Sequence, residues 1–134
     1  PHAVVYLLEP GRFRAPRSIA EQAHQASPEV ITRLFPVKVA PRLFVTHTRP
    51  EPILGLLGPL HTGSATVGLG YTNHGGTLST QGMAFVNRCS WAHCLRVAAR
   101  LLQVPDAELL SEDECQALDG KRSPHEVIVS DVAA

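Results

Sequence analysis

Apolar residues along this chain come in short runs separated by proline and glycine, and the runs alternate between two periods. Ala3-Val4-Val5-Tyr6-Leu7-Leu8 is continuously apolar, the pattern of a strand covered on both faces, and Glu9-Pro10-Gly11 ends it. Ser18 with Glu21 three residues on predicts a capping box, with Ile19, Ala20, Ala23 and Ala26 on one face of a short helix. Ser27-Pro28 closes that segment or opens the next. Residues 30–35, Val-Ile-Thr-Arg-Leu-Phe, are rich in β-branched side chains and predict a strand, with Val37-Lys38-Val39 beyond Pro36 as a bent continuation or an edge. Leu43-Phe44-Val45-Thr46-His47 predicts the next strand, residues 52–60 a short helix, and residues 66–71 a further strand whose Gly68 and Gly70 imply a close backbone neighbour.

Residues 87–103 carry the strongest helical period. Trp91, Cys94, Leu95, Ala98, Leu101 and Leu102 recur at three- and four-residue intervals, which predicts that Trp91 and Leu95 are buried. Val104-Pro105 stops this helix, and Ser111 with Glu114 predicts another capped start. Val127-Ile128-Val129 reads as a last strand or a docked tail. Strands alternating with helices predict an α/β fold: three layers, a mainly parallel sheet of about five strands, and helices on both faces. Residues 1–134 then form a single α/β domain, with 105–134 as a C-terminal helical and tail extension.

The densest polar stretch follows the predicted strand at 66–71. Asn73, His74, Gly75, Gly76 and Thr77 offer hydrogen-bonding groups and two flexible glycines where functional loops of parallel sheets lie, at a strand's carboxyl end. The loop reads as a structural turn, as an interface loop, or as a ligand site with an anion-binding nest of backbone amides. His47 ends a strand beside Thr46, Thr48 and Arg49 and reads as the edge of the same cleft or as a structural histidine. Together these six residues are the candidate interface or substrate-cleft set.

Other chemistry is thinner. Neither a dinucleotide fingerprint nor a P-loop is present, nor a Gly-x-Ser-x-Gly elbow. Ser79, Ser90 or Cys89 can each be paired on paper with one of seven histidines. Cys89 and His93 have metal-chelating spacing, but Cys94 points into the predicted core, and a fourth ligand has to come from Cys115, His47 or His125. Arg12, Arg14 and Arg17 read as a phosphate site, a solvated face or an interdomain contact.

Composition narrows the partners. Lys plus Arg and Asp plus Glu are 12 each, so there is no electrostatic case for nucleic acid or an anionic membrane. No apolar run reaches the roughly 18 residues of a spanning helix. An odd count of 3 cysteines with no disulfide framework makes a reducing cytoplasm the expected location.

Pro41-Arg42-Leu43-Phe44-Val45-Thr46-His47, a proline-containing helix, Gly70-Tyr71, Gly76-Thr77 with Thr80, then Met83, Val86-Asn87 and His93 with its apolar helix follow one another in an order that resembles the C-terminal domain of the transketolase superfamily. Over about residues 30–102 the likeness is greatest to a divergent phosphoketolase. Asn73 and His74 stand where that family carries acidic residues before Gly-Thr, and Gln81-Gly82 where it carries Pro-Phe-Asp. The resemblance implies a thiamine-diphosphate enzyme that, with Mg, makes a two-carbon carbanion from a sugar phosphate or related donor. In such enzymes cofactor and metal sit between two other domains at a dimer interface, and the C-terminal domain shapes that interface. At 134 residues, and without a Gly-Asp-Gly metal motif, this chain is too short to hold those two domains. The expectation is therefore that it binds no cofactor or metal alone and supplies no catalytic residue. It would be an excised domain or a split subunit, a structural or interface part of a homo- or hetero-oligomer with thiamine-binding catalytic domains or subunits. The alternative is a stand-alone α/β ligand-binding or small enzyme domain with its site at loop 72–82.

Overall fold

The structure, a computed structural model, describes residues 3–38, 41–60, 65–72, 76 and 78–129. Helices predominate: α1 (Ile19–Gln22), α2 (Pro28–Leu34), α3 (Pro50–Leu56), α4 (Thr80–Val86), α5 (Trp91–Leu102) and α6 (Glu112–Leu118). Among the described residues four single 3-10 turns, at Pro10–Phe13, Gly58–Leu60, Asp106–Glu108 and Pro124–Glu126, accompany them.

The expected sheet of about five strands in three layers is not formed. Among the described residues there is one sheet of two parallel strands, β1 (Arg42–Val45) and β2 (Thr66–Leu69). They pair in register Arg42 to Thr66 through Val45 to Leu69, joined by a crossover containing α3. A parallel pair needs such a crossover, and the short apolar helix provides it.

Each missing strand has a local reason. Residues 30–35 are β-branched, yet Ser27 caps a helix there: its hydroxyl accepts the Val30 N–H at 3.4 Å, and Pro28 sits at the first helical position with its φ already suited. The start signal outweighs the modest strand preference of valine and isoleucine. In the run at 3–8 Val5 and Leu7 pack inward while Val4, Tyr6 and Leu8 are exposed, but it joins no ladder among the described residues. Val37 is exposed and in no strand, and Val39 lies outside the described residues. Ile128 and Val129 are buried and pair with no strand among the described residues, the docked tail rather than the strand.

Two apolar clusters hold the described residues together. Phe35, Leu57 and Leu60 form the first, with Val5, Leu7, Phe13, Ile31 and Phe44 packed round them. Arg42 ties this cluster's edges by donating to the carbonyls of Phe35, Pro36 and Leu60. The second joins Ala92 of α5 to Leu110, Ala117, Ile128 and Val129, with Phe85, Leu95 and Cys115 against it. Its buried stripe on α5 runs through Ala92, Leu95 and Ala99, about one residue round from the predicted face. Trp91, expected to be buried, is therefore 45% exposed, and its indole N–H donates to the Ile128 carbonyl at 3.2 Å. Cys94, expected to point into the core, is half-buried, and Cys89 is the buried cysteine.

Arg96 braces the second cluster from outside. Its guanidinium lies 2.9 Å from both Asp106 and Asp119 and donates to the Cys115 carbonyl at 3.3 Å. The Nε–Asp106 contact is an ion pair out of hydrogen-bond alignment. Ser111 and Glu114 form the reciprocal capping box their spacing predicts. At Ser18 only half of the predicted box forms: Ser18 accepts the Glu21 N–H, but the Glu21 carboxylate accepts from the backbone N–H of Arg17 instead.

Candidate functional site

The carboxyl ends of β1 and β2 lie side by side, because the register holds to their last residues. Beyond them the chains stay joined. Thr46 donates its backbone N–H to the Leu69 carbonyl at 2.9 Å, and Tyr71 donates to the Thr48 carbonyl at 3.0 Å. Thr48 turns back on Thr46, its N–H reaching the Thr46 hydroxyl at 3.3 Å and the two hydroxyls lying 3.2 Å apart. Gly70 permits this approach: a Cβ there would overlap the Thr48 carbonyl oxygen and lie 2.8 Å from Thr46 Cγ2. His47 is thereby turned outward, exposed, with its ring edge-on to Tyr71 at 5.8 Å between centroids.

The polar loop starts from this edge. Asn87, buried at the end of α4, accepts the Thr72 N–H on Oδ1 at 2.8 Å and donates from Nδ2 to the Met83 carbonyl at 2.9 Å. At the other end Ser79 caps α4, accepting the Gly82 N–H at 3.1 Å. Both ends of the loop are thus fixed. Of the candidate set, His47 stands on this edge, and Gly76 is exposed with open space where a Cβ would project. Asn73, His74, Gly75 and Thr77 lie outside the described residues. Sequence reasoning missed Asn87 as the anchor. Its signal was available: a polar side chain between Val86 and the apolar face of the next helix needs partners if buried.

The helical junction after Asn87 is tight. Arg88 takes a left-handed φ of 57°, and Cys89 donates its N–H to the Ala84 carbonyl at 2.9 Å. Ser90 caps α5, and its hydroxyl sits 2.7 Å from His93 Nδ1. Of the serine–histidine pairings open on paper, this is the one made among the described residues. It is a capping arrangement: Ser90 is buried, and its oxygen also receives the His93 N–H. Burial, with Arg96 and Arg88 nearby, pushes His93 down to about 4, so its ring is neutral near physiological pH. Burial raises both Cys89 and Cys94, the latter also through the charge of Cys89.

The remaining candidates do not converge. Cys89, His93 and Cys94 gather no further ligand, and no group of three or more His, Cys, Asp or Glu side chains among the described residues is placed to hold a metal ion. Arg14 and Arg17 both pair with Glu21, at 2.8 and 2.9 Å, and Arg12 with Glu9 and the His24 carbonyl, which makes the arginine run a brace on α1 rather than a phosphate cradle. No helix among the described residues is long and apolar enough to cross a membrane. No family model, no curated protein and no solved structure matches the chain.

Proposed function

We propose that this chain is a non-catalytic assembly module, and that the carboxyl edge of β1 and β2, with loop 72–82, packs against the thiamine-diphosphate-binding domains or subunits of a two-carbon (ketol or acyl) transfer enzyme. The observation that carries this reading is a polar loop anchored at both ends, by Asn87 on Thr72 and by the Ser79 cap, beside an outward-facing His47. Such anchoring stabilises the connection from β2 to α4, and by fixing the loop's two ends it also favours a preorganised interface. A sheet of two parallel strands is also narrow for a fold class whose strands are normally covered on both faces, and Val45 is 55% exposed. Contact with a larger partner would supply that cover. The identity of the partner rests on the resemblance over residues 30–102, two blocks of which, Pro41–His47 and Gly70–Tyr71, border one another here. All three cysteines are unpaired, which supports a reducing, cytoplasmic setting.

The test is purification of the full chain from its native source with its partners attached. Thiamine diphosphate should elute with it in stoichiometric amount, and the assembly should catalyse two-carbon transfer that the chain alone does not. A chain that elutes alone, without the cofactor, would shift the assignment to a stand-alone ligand-binding domain.

A further inference from the structure

The α4–α5 junction carries Cys89-Ser90-Trp91-Ala92-His93-Cys94, in which Ser90 is the helix cap. Cys89 therefore precedes the cap by one position, and Cys94 is the fourth helical residue. Those two positions are the pair whose side chains meet across a helix start in a hydrophobic staple. Aliphatic residues usually fill them; here both are thiols. In the structure the Cys94 thiol lies against the backbone of Cys89, its Sγ 3.9 Å from the Cys89 carbonyl oxygen. Neighbouring groups hold the geometry: Cys89 N–H is bonded to the Ala84 carbonyl, Cys94 N–H to the Ser90 carbonyl at 3.0 Å, and the Ser90 hydroxyl to His93. Cys115, the third cysteine, is on α6.

We propose that Cys89 and Cys94 form a dithiol site that is converted to an intramolecular disulfide by exchange with a small-molecule disulfide of the oxidised-glutathione class. Accessibility sets the order. Cys94 is half-buried and meets the reagent, and Cys89, 7% exposed, is the resolving thiol. Cys94 loses its proton to solvent and its thiolate attacks one sulfur of the reagent; the reagent's S–S bond breaks and one thiol leaves. Cys89 loses its proton in turn and its thiolate attacks Cys94 Sγ in the mixed disulfide, expelling the second thiol. Two protein thiols are oxidised, and the two electrons and two protons appear as two molecules of reagent thiol. Burial raises both thiols, which slows the exchange.

Incubation of the full chain in a glutathione redox buffer, followed by acid quench, intact mass and peptide mapping, tests this. The expected product has lost two hydrogen atoms, carries no glutathione, and yields one cross-linked peptide joining Cys89 to Cys94. Cys89→Ala should stop at a stable glutathione adduct on Cys94, while Cys115→Ser should react as the parent does. Circular dichroism of each variant reports whether it is folded, and the wild-type peptide map decides the matter without them. A persistent glutathione adduct on wild-type Cys94, a cross-link from either residue to Cys115, or no oxidation of Cys94 while Cys115 is modified would each overturn the proposal.

Discussion

Asn87 holds Thr72 across fifteen residues of chain, accepting its backbone N–H at 2.8 Å while donating to Met83 from the same amide. One buried side chain thus ties the exit of β2 to the end of α4. Asn87→Ala should cost about 1–3 kcal/mol, the usual penalty for orphaning buried polar groups. Amide exchange at Thr72 should accelerate well beyond that of β1. Urea unfolding and hydrogen exchange check the two effects, and an unchanged Thr72 exchange rate would mean the anchor is held elsewhere.

Gly70 and Gly55 should respond to alanine in opposite directions. At Gly70 the new methyl meets the Thr48 backbone carbonyl, which is fixed by its bond to Tyr71. Overpacking of this kind costs about 1–3 kcal/mol, or more when backbone has to move. Gly55 lies inside α3 with open space around it, so Gly55→Ala should stabilise by roughly 0.5–1 kcal/mol. Thermal melts of the two variants against the parent give the comparison directly.

Two pH windows are expected. His93 is held from its ordinary 6.5 down to about 4, so between those values the unfolded chain binds the extra proton and stability falls as pH falls. Glu21 is held from 4.5 down to about 2, first by its hydrogen bonds from Arg17, so its contribution persists above 4.5 and is lost as pH falls towards 2. His93→Gln should flatten the upper window and leave the lower one in place. Unfolding midpoints in urea across both ranges, with and without the substitution, measure this.

Arg96 joins three separate segments, through Asp106, Asp119 and the Cys115 carbonyl. Arg96→Met should destabilise by roughly 1–3 kcal/mol, less than a fully buried pair because both carboxylates are partly exposed. Arg96→Lys should recover only part of the loss, since one ammonium cannot span the planar fork of contacts. Denaturant titration of the two variants provides the test.

What could be read from the sequence followed the strength of the local signal. β1 and β2 were legible because apolar runs were bracketed by proline and glycine, and α6 because Ser111 and Glu114 form a complete box. Residues 30–35 misled because β-branching was weighed above the Ser27-Pro28 helix start. The helix from residue 87 began four residues late, at Trp91, because Asn87 and Arg88 make a turn that no apolar period encodes. α4 was hidden inside what read as one polar loop, its Ser79 cap being a single residue among many hydroxyls. The run at 3–8 has a strand's composition, but whether a strand is paired depends on what lies beside it, which composition does not record. In the candidate site, His47 was legible from its place at a strand end, whereas the Asn87 anchor depends on a tertiary contact fifteen residues away.

On the proposed function, the carboxyl edge of β1 and β2 faces a partner. Histidine footprinting with diethyl pyrocarbonate, read by mass spectrometry at His47, addresses it most directly, because His47 is exposed on that edge in the chain alone. His47 should be modified readily in the isolated chain and be protected in the native assembly. Equal modification of His47 in both states would contradict it.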